Sequence, residues 1–134
     1  MNPTQEQIEA LIRLLAAAEG LDPEICIRQC KQESSFHPDA INHKSGAIGL
    51  FQLEPATAAQ LGVDPRRWHE NVFGGIKYDG RLFRTFGSTD KMLAAYNWGP
   101  GHLTGLIEEH GALWRDHLPA ETTEYLSIIL PEPT

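Results

Sequence analysis

Asp22-Pro23-Glu24-Ile25-Cys26-Ile27-Arg28-Gln29-Cys30-Lys31-Gln32-Glu33-Ser34-Ser35-Phe36-His37-Pro38-Asp39 is the stretch on which the fold turns. Its first residues are a helix start. Asp22 supplies an N-cap carboxylate, Pro23 suits the first helical position, and Glu24 faces the positive end of the helix dipole. Ile25, Cys26, Ile27, Gln29 and Cys30 carry the helix toward Glu33-Ser34. From Phe36 to Leu53 helical periodicity fails; His37-Pro38-Asp39, Asn42-His43-Lys44-Ser45-Gly46 and Gly49 are turn chemistry. Glu33 therefore ends an apolar helix just before a turn-rich segment, where a helix meets a cleft. A carboxylic acid can deliver a proton near neutral pH if burial holds its pKa up, and a nearby helix C-terminus also disfavours ionisation. A glutamate at a helix end is more often a solvated surface residue, so the position alone does not make it catalytic.

Helical pattern extends in both directions from this stretch. Thr4 and Gln7 form a capping box, Ile8, Leu11, Ile12 and Leu15 recur at helical spacing, and Gly20 stops that helix after Glu19. Downstream, Pro55 to Leu61 reads as helix closed by Gly62. Val72, Ile76, Leu82, Phe83 and Phe86 predict another, with Gly87 beyond its end. Ser88 or Thr89 caps a helix through Met92, Leu93 and Ala95, which Gly99-Pro100-Gly101 must break. Two shorter segments follow, the last over Glu121 to Leu130. The fold class expected is mainly α, a single domain over residues 1–134, with a short loop or hairpin region between Phe36 and Leu53.

The bulk composition narrows the function classes. The chain has 134 residues, 41% hydrophobic and 22% charged, which suits one globular domain with a hydrophobic core. A net charge of -7 argues against nucleic acid, whose phosphates require clustered Lys and Arg, and against a polybasic membrane-disrupting role. No apolar run approaches the ~20 residues of a membrane span, so no membrane insertion is expected. Met1 to Glu9 is polar with no Lys or Arg, so no secretory signal is expected there. Cys26 and Cys30 lie four apart on a helix, farther apart than a disulfide prefers, and read as buried reduced thiols in preference to a bond or a metal site. No Cys or His spacing suggests a metal, and nothing calls for a cofactor. A monomer is expected.

The motifs occur in a fixed order. Glu33-Ser34-Ser35-Phe36-His37-Pro38-Asp39-Ala40 is followed by Ser45-Gly46-Ala47-Ile48-Gly49-Leu50-Phe51-Gln52-Leu53-Glu54-Pro55-Ala56-Thr57-Ala58. Then come Asn71-Val72 with Gly75 and Tyr78, Ala94-Ala95-Tyr96-Asn97-Trp98-Gly99-Pro100-Gly101, and Glu121-Thr122-Thr123-Glu124-Tyr125. From about Asp22 to Tyr125 this set resembles the soluble lytic transglycosylase (SLT) domain of the lysozyme-like superfamily. One departure is Ile41-Asn42-His43-Lys44-Ser45, a longer and more polar link than many members have.

The resemblance implies a goose-type lysozyme-like helical fold acting on the glycan strands of peptidoglycan. Glu33 would be the acid/base and Ser34 would support it or the sugar. Gln52 and Asn97 would hydrogen-bond the N-acetyl groups or the glycan, Phe51 and Tyr96 would line the cleft, and Tyr125 would orient the acid. The residue types suit such a ligand, since amide side chains match acetamido groups and aromatic rings stack on sugar faces. Gln52 and Asn97 could equally satisfy buried backbone, and Phe51, Tyr96 and Tyr125 could be core aromatics. Trp98 is a further stacking candidate, and Trp114 reads as core.

In the implied reaction Glu33 protonates the oxygen between N-acetylmuramic acid and N-acetylglucosamine. It then takes the C6 hydroxyl proton as the 1,6-anhydro ring closes. The motifs mark one carboxylate, whereas ordinary glycosidases use two. Two alternatives stand beside this one. A lysozyme-type hydrolase on the same scaffold would recruit Asp39, Glu54, Glu70 or Asp79. A non-catalytic glycan-binding module would serve an envelope complex or virion. The small size and the N-terminus without a signal pattern also resemble a phage endolysin or virion-associated lysin that acts on the wall in the periplasm, and an excised domain of a larger enzyme would look the same.

Overall fold

A computed structural model of the chain describes residues 2–131. It is mainly helical, as expected. The α-helices are α1 (Gln5–Glu19), α2 (Pro23–Ser34), α3 (Pro55–Leu61), α4 (Trp68–Phe86), α5 (Thr89–Trp98), α6 (Pro100–His110) and α7 (Ala120–Ile129). A 3-10 helix, Gly111–His117, stands between α6 and α7. The chain divides into two compact units, one ending at Gly80 and the other beginning at Arg81, with α4 running from the first into the second.

In the first unit the local signals act where the sequence puts them. Thr4 Oγ1 accepts from the Gln7 N–H at 3.1 Å and Gln7 Oε1 accepts from the Thr4 N–H at 2.9 Å. Such an N-cap is worth about 1 kcal/mol. Ile8, Ile12 and Ala16, spaced by four, form the buried face of α1, which packs on α2. Gly20 takes φ +73° and ends the helix, and Asp22 Oδ1 caps α2 by accepting the Glu24 N–H at 2.9 Å. Cys26 and Cys30 are free and buried. Burial, and to a lesser extent the charges of Glu33 and Glu9, push the Cys30 thiol up to about 12 against a weaker opposing bond from Ser34. Burial, with Asp79 and Asp22, pushes Cys26 up as well. Both therefore pack as thiols and neither is a thiolate nucleophile.

The structure sharpens two expectations. The helix read from Val72 begins one turn earlier, at Trp68, because its first turn is polar and carries little apolar periodicity. The possible hairpin between Phe36 and Leu53 reduces to two isolated antiparallel bridges, Ile41 with Ile48 and Ile48 with Leu53. No extended run forms because the backbone turns at Gly46 (φ +78°), Gly49 (φ +81°) and Gln52 (φ +50°). The polar link Ile41–Ser45 is closed by Asn42, whose Oδ1 accepts the Lys44 and Ser45 N–H groups at 2.9 and 3.2 Å.

In the second unit α5 packs on α6 and α7, and α6 on the 3-10 helix. Leu82, Met92, Leu93, Ala94, Ala95, Leu103, Leu126 and Ile129 are among its buried apolar residues, and Trp114 is buried too. Ser88 occupies the N-cap of α5, but its hydroxyl donates to Asp90 Oδ1 at 2.6 Å instead of capping the helix. Gly99, at φ +109°, is the joint between α5 and α6, and Pro100 opens α6.

Candidate active site

Glu33 is the penultimate residue of α2 and is half-buried. The helix ends abruptly behind it. Ser35 and Phe36 take φ +50° and +61°, left-handed conformations that cost a bulky residue free energy. With Gln52 they are the three non-glycine residues of positive φ among the described residues, so backbone strain is concentrated around the sequence motifs. Ser34 is buried, and its hydroxyl donates back to the Cys30 carbonyl at 3.2 Å. His37 reinforces the turn: its N–H donates to the Ser34 carbonyl at 3.0 Å and its Nδ1 lies 3.0 Å from the same oxygen.

The loop that carries Gln52 is pinned by a residue the sequence reading left without a role, Asn71 of α4. Its Oδ1 accepts the Phe51 N–H at 2.8 Å, and its Nδ2 donates to the carbonyls of Ile48 at 2.8 Å and Pro65 at 2.9 Å. Gly49 has no room for a side chain, since a Cβ there would lie 2.4 Å from Asn71 Nδ2. Phe51, expected to line the cleft, is 0% exposed, so it supports the loop from beneath and does not offer its ring to a ligand. Gly75 accommodates it; a Cβ on Gly75 would meet Phe51 Cβ and Cγ at 2.5 Å.

Gln52 itself is half-buried. Its Nε2 donates to the carbonyls of Gly49 at 3.0 Å and Ala40 at 3.2 Å, which satisfies the loop backbone and holds the strained residue in place. Its Oε1 has no hydrogen-bond partner among the described residues and remains an acceptor.

In the second unit, Tyr96 and Asn97 lie in the last turn of α5 and are half-buried. Asn97 Oδ1 accepts from Thr122 Oγ1 at 2.9 Å, and Thr122 is buried on α7. This bond fixes the amide and leaves its N–H groups as donors. Thr122, within the Glu121 to Tyr125 motif, is thus a second residue that holds a polar side chain in place, a role that only the contact between α5 and α7 reveals. Tyr125, three residues on, is buried. The Trp98 ring lies 5.0 Å from that of His102, tilted by 39°, and His102 Nδ1 lies 3.0 Å from the Trp98 carbonyl, so His102 covers part of the Trp98 ring.

The other carboxyls differ sharply in setting. Glu70 pairs with Arg67 at 3.2 Å and accepts the Asp64 N–H at 3.1 Å, which ties down the entry to α4. Asp79 is 0% exposed and accepts from Gln29 Nε2 at 3.0 Å. Glu54 is exposed at the start of α3 and makes no capping bond. Asp39 is exposed at a polar pocket of about 310 Å³ that Arg66, Arg67, Trp68 and His69 also line. Tyr78 stays a phenol, its pKa raised by burial and by the charges of Glu54 and Asp79.

Comparison with known proteins identifies the family and the fold. The model of the transglycosylase SLT domain matches residues 10–118. The chain is 34% identical over 101 residues to membrane-bound lytic murein transglycosylase F of Desulfosudis oleivorans, covering 69% of this chain and 22% of the relative. It is 35% identical over 88 residues to a transglycosylase of Enterobacteria phage PRD1, covering 63% of this chain and 32% of that protein. The chain thus spans about a quarter of the length of the curated relatives it matches. Its fold is that of the 70 kDa soluble lytic transglycosylase of Escherichia coli, with a TM-score of 0.81 at 22% identity over 90% of this chain and 22% of that one. No helix among the described residues is long and apolar enough to cross a membrane.

Proposed function

The chain belongs to the transglycosylase SLT domain family, and from that premise we propose that it is a peptidoglycan lytic transglycosylase with Glu33 as its acid/base. The observation that carries the reading is that the family match spans residues 10–118 with Glu33 inside it, half-buried at the strained end of α2. Protonated Glu33 donates to the oxygen joining N-acetylmuramic acid to N-acetylglucosamine, and that bond breaks. The N-acetyl carbonyl of the same sugar stabilises the positive charge at the anomeric carbon. Glu33, now a carboxylate, removes the C6 hydroxyl proton as that oxygen closes onto the anomeric carbon. The acid is thereby regenerated, and the product carries a 1,6-anhydro ring.

The two amide side chains suit the substrate in complementary ways. Gln52 has its N–H groups engaged and offers an oxygen; Asn97 has its oxygen engaged and offers N–H groups. Each acetamido group along a glycan strand presents an N–H that an amide oxygen can accept and a carbonyl to which an amide N–H can donate, so each residue by itself suits such a ligand. Tyr96 supplies apolar surface for a sugar face, and Ser34 supports the end of α2. The substrate places the enzyme's action at the cell wall.

The one-carboxylate mechanism has a direct test. Glu54 and Asp39 are the exposed candidates for a second carboxyl, and the mechanism uses neither. Asp39→Asn and Glu54→Gln, separately and together, should leave kcat on purified glycan strands within about threefold of the parent, far from the ~10²-fold loss expected on removing a general acid or base. A loss of that size in either variant, with folding intact, would identify a second catalytic carboxyl and favour a hydrolase.

A further inference from the structure

Gln29 and Asp79 form a buried polar pair that the reaction above does not use. Both are 0% exposed. Gln29 Nε2 donates to Asp79 Oδ1 at 3.0 Å, which bridges α2 to α4. The remaining atoms of the same two groups, Gln29 Oε1 and Asp79 Oδ2, are buried with no partner among the described residues. Both are acceptors if Asp79 is ionised, an expensive arrangement away from water. One proton on Asp79 Oδ2 resolves both, because it can be donated to Gln29 Oε1 and closes a ring of two hydrogen bonds. Turning the Gln29 amide over does not remove the need, since its oxygen would then lie 3.0 Å from Asp79 Oδ1 and again require a proton between them.

Gln29 is one helical turn before Glu33, so the two side chains leave α2 on the same face. We propose, resting on the assignment of Glu33 as the acid/base, that Asp79 keeps its proton and, ring-bonded to Gln29, is a positioning residue for Glu33. The pair anchors the last full turn of α2 to α4, just before the chain turns through Ser35 and Phe36. Electrostatics agree. Burial raises the Asp79 pKa well above the ordinary carboxylate value, the Gln29 bond opposes this, and the charge of Glu33 raises it further. When Glu33 becomes a carboxylate in mid-turnover, it therefore holds the proton on Asp79 more firmly. Among the described residues, Cys26 on α2 and Tyr78 on α4 are the other titratable groups that feel Asp79, and both stay neutral beside it. Asp79 is thus a second carboxyl beside the acid/base that stays protonated, with no part as nucleophile or water activator.

Asp79→Asn separates this from a plain buried charge, because an amide can make both ring hydrogen bonds without titrating. The sign follows from the raised folded pKa. Wild-type stability relative to the variant is greatest near pH 3, below the unfolded aspartate's pKa, where the acid is largely protonated folded or unfolded, and is lost as the pH rises toward the folded value. Melting temperatures should therefore lie closest near pH 3, with the variant pulling ahead as the pH is raised to neutral. A protonated-acid carbonyl band in the infrared spectrum of the wild type should vanish in Asp79→Asn. A melting difference that does not widen with pH, or no such band at neutral pH, overturns the protonated pair whatever the enzyme's activity. For positioning, Asp79→Leu should lower kcat roughly ten- to a hundredfold with KM little changed, and Asp79→Asn should restore it. Full kcat in a folded Asp79→Leu protein, or failure of Asp79→Asn to restore it, overturns the positioning role. If Asp79→Leu does not fold, Gln29→Leu replaces it with the same expected loss. Inactivity of the wild type on peptidoglycan would instead count against the function itself.

Discussion

Glu33→Gln should lower cleavage of purified peptidoglycan strands by about 10²- to 10⁴-fold while the protein still folds and still binds the strands. The amide matches the carboxyl in volume and fits the half-buried site, so the end of α2 has little reason to move. What it lacks is a proton that can leave. Departure of the sugar oxygen then proceeds without an acid, and no base is generated for closing the anhydro ring. Both halves of turnover fail together, which is why the effect should fall on kcat and spare KM. The check is release of soluble fragments by the variant alongside its co-sedimentation with insoluble peptidoglycan. Cleavage equal to the parent's would remove Glu33 from the mechanism, and loss of binding together with cleavage would make it a binding residue.

Asn71→Ala should have the largest effect on stability, about 3 kcal/mol or more. The substitution strands the Phe51 N–H and the carbonyls of Ile48 and Pro65, three backbone groups that meet at one buried side chain. Each buried polar group left unpaired costs about 1–3 kcal/mol, and some of that is recovered if water enters. For a chain of this size the melting temperature should fall by roughly 10 °C. The loop that loosens is the one carrying Gln52, so activity should fall well below the melting transition. Thermal unfolding followed by circular dichroism, with turnover measured at 25 °C on the same preparation, separates the two effects. An unchanged melting temperature would mean that the Asn71 bonds do not hold the loop.

The features legible in the sequence are those set by neighbours along the chain. The capping box at Thr4 and Gln7, the stop at Gly20, the Asp22-Pro23 start and the joint at Gly99 act within a few residues of themselves. The placement of Glu33 at the end of a helix follows from those signals. The features that were not legible depend on contacts between distant residues. Phe51 stands in a motif that suggested a cleft, yet it is buried because Gly75, 24 positions later, leaves room for its ring. Asn71 gives no local hint of its role because two of its partners lie 20 and 23 residues away. Asp79 is an acid in a helix, ordinarily exposed, and counted as a possible second carboxylate. Its burial against Gln29, 50 residues earlier, changes its chemistry from base to neutral donor. Gln52 and Asn97 carried two readings, structural and ligand-binding. Each makes structural hydrogen bonds with one end of its amide and leaves the other end able to bind.

The measurement closest to the central claim is the mass of the fragments released from purified peptidoglycan. A single glutamate acting first as acid and then as base, with the sugar's own C6 oxygen as nucleophile, yields muropeptides ending in 1,6-anhydro-N-acetylmuramic acid. Each is one water lighter than the product of hydrolysis. We predict the anhydro fragments as the sole new chain ends. Fragments carrying added water would contradict the transglycosylase account and mean that a water, activated by another group, attacks the anomeric carbon.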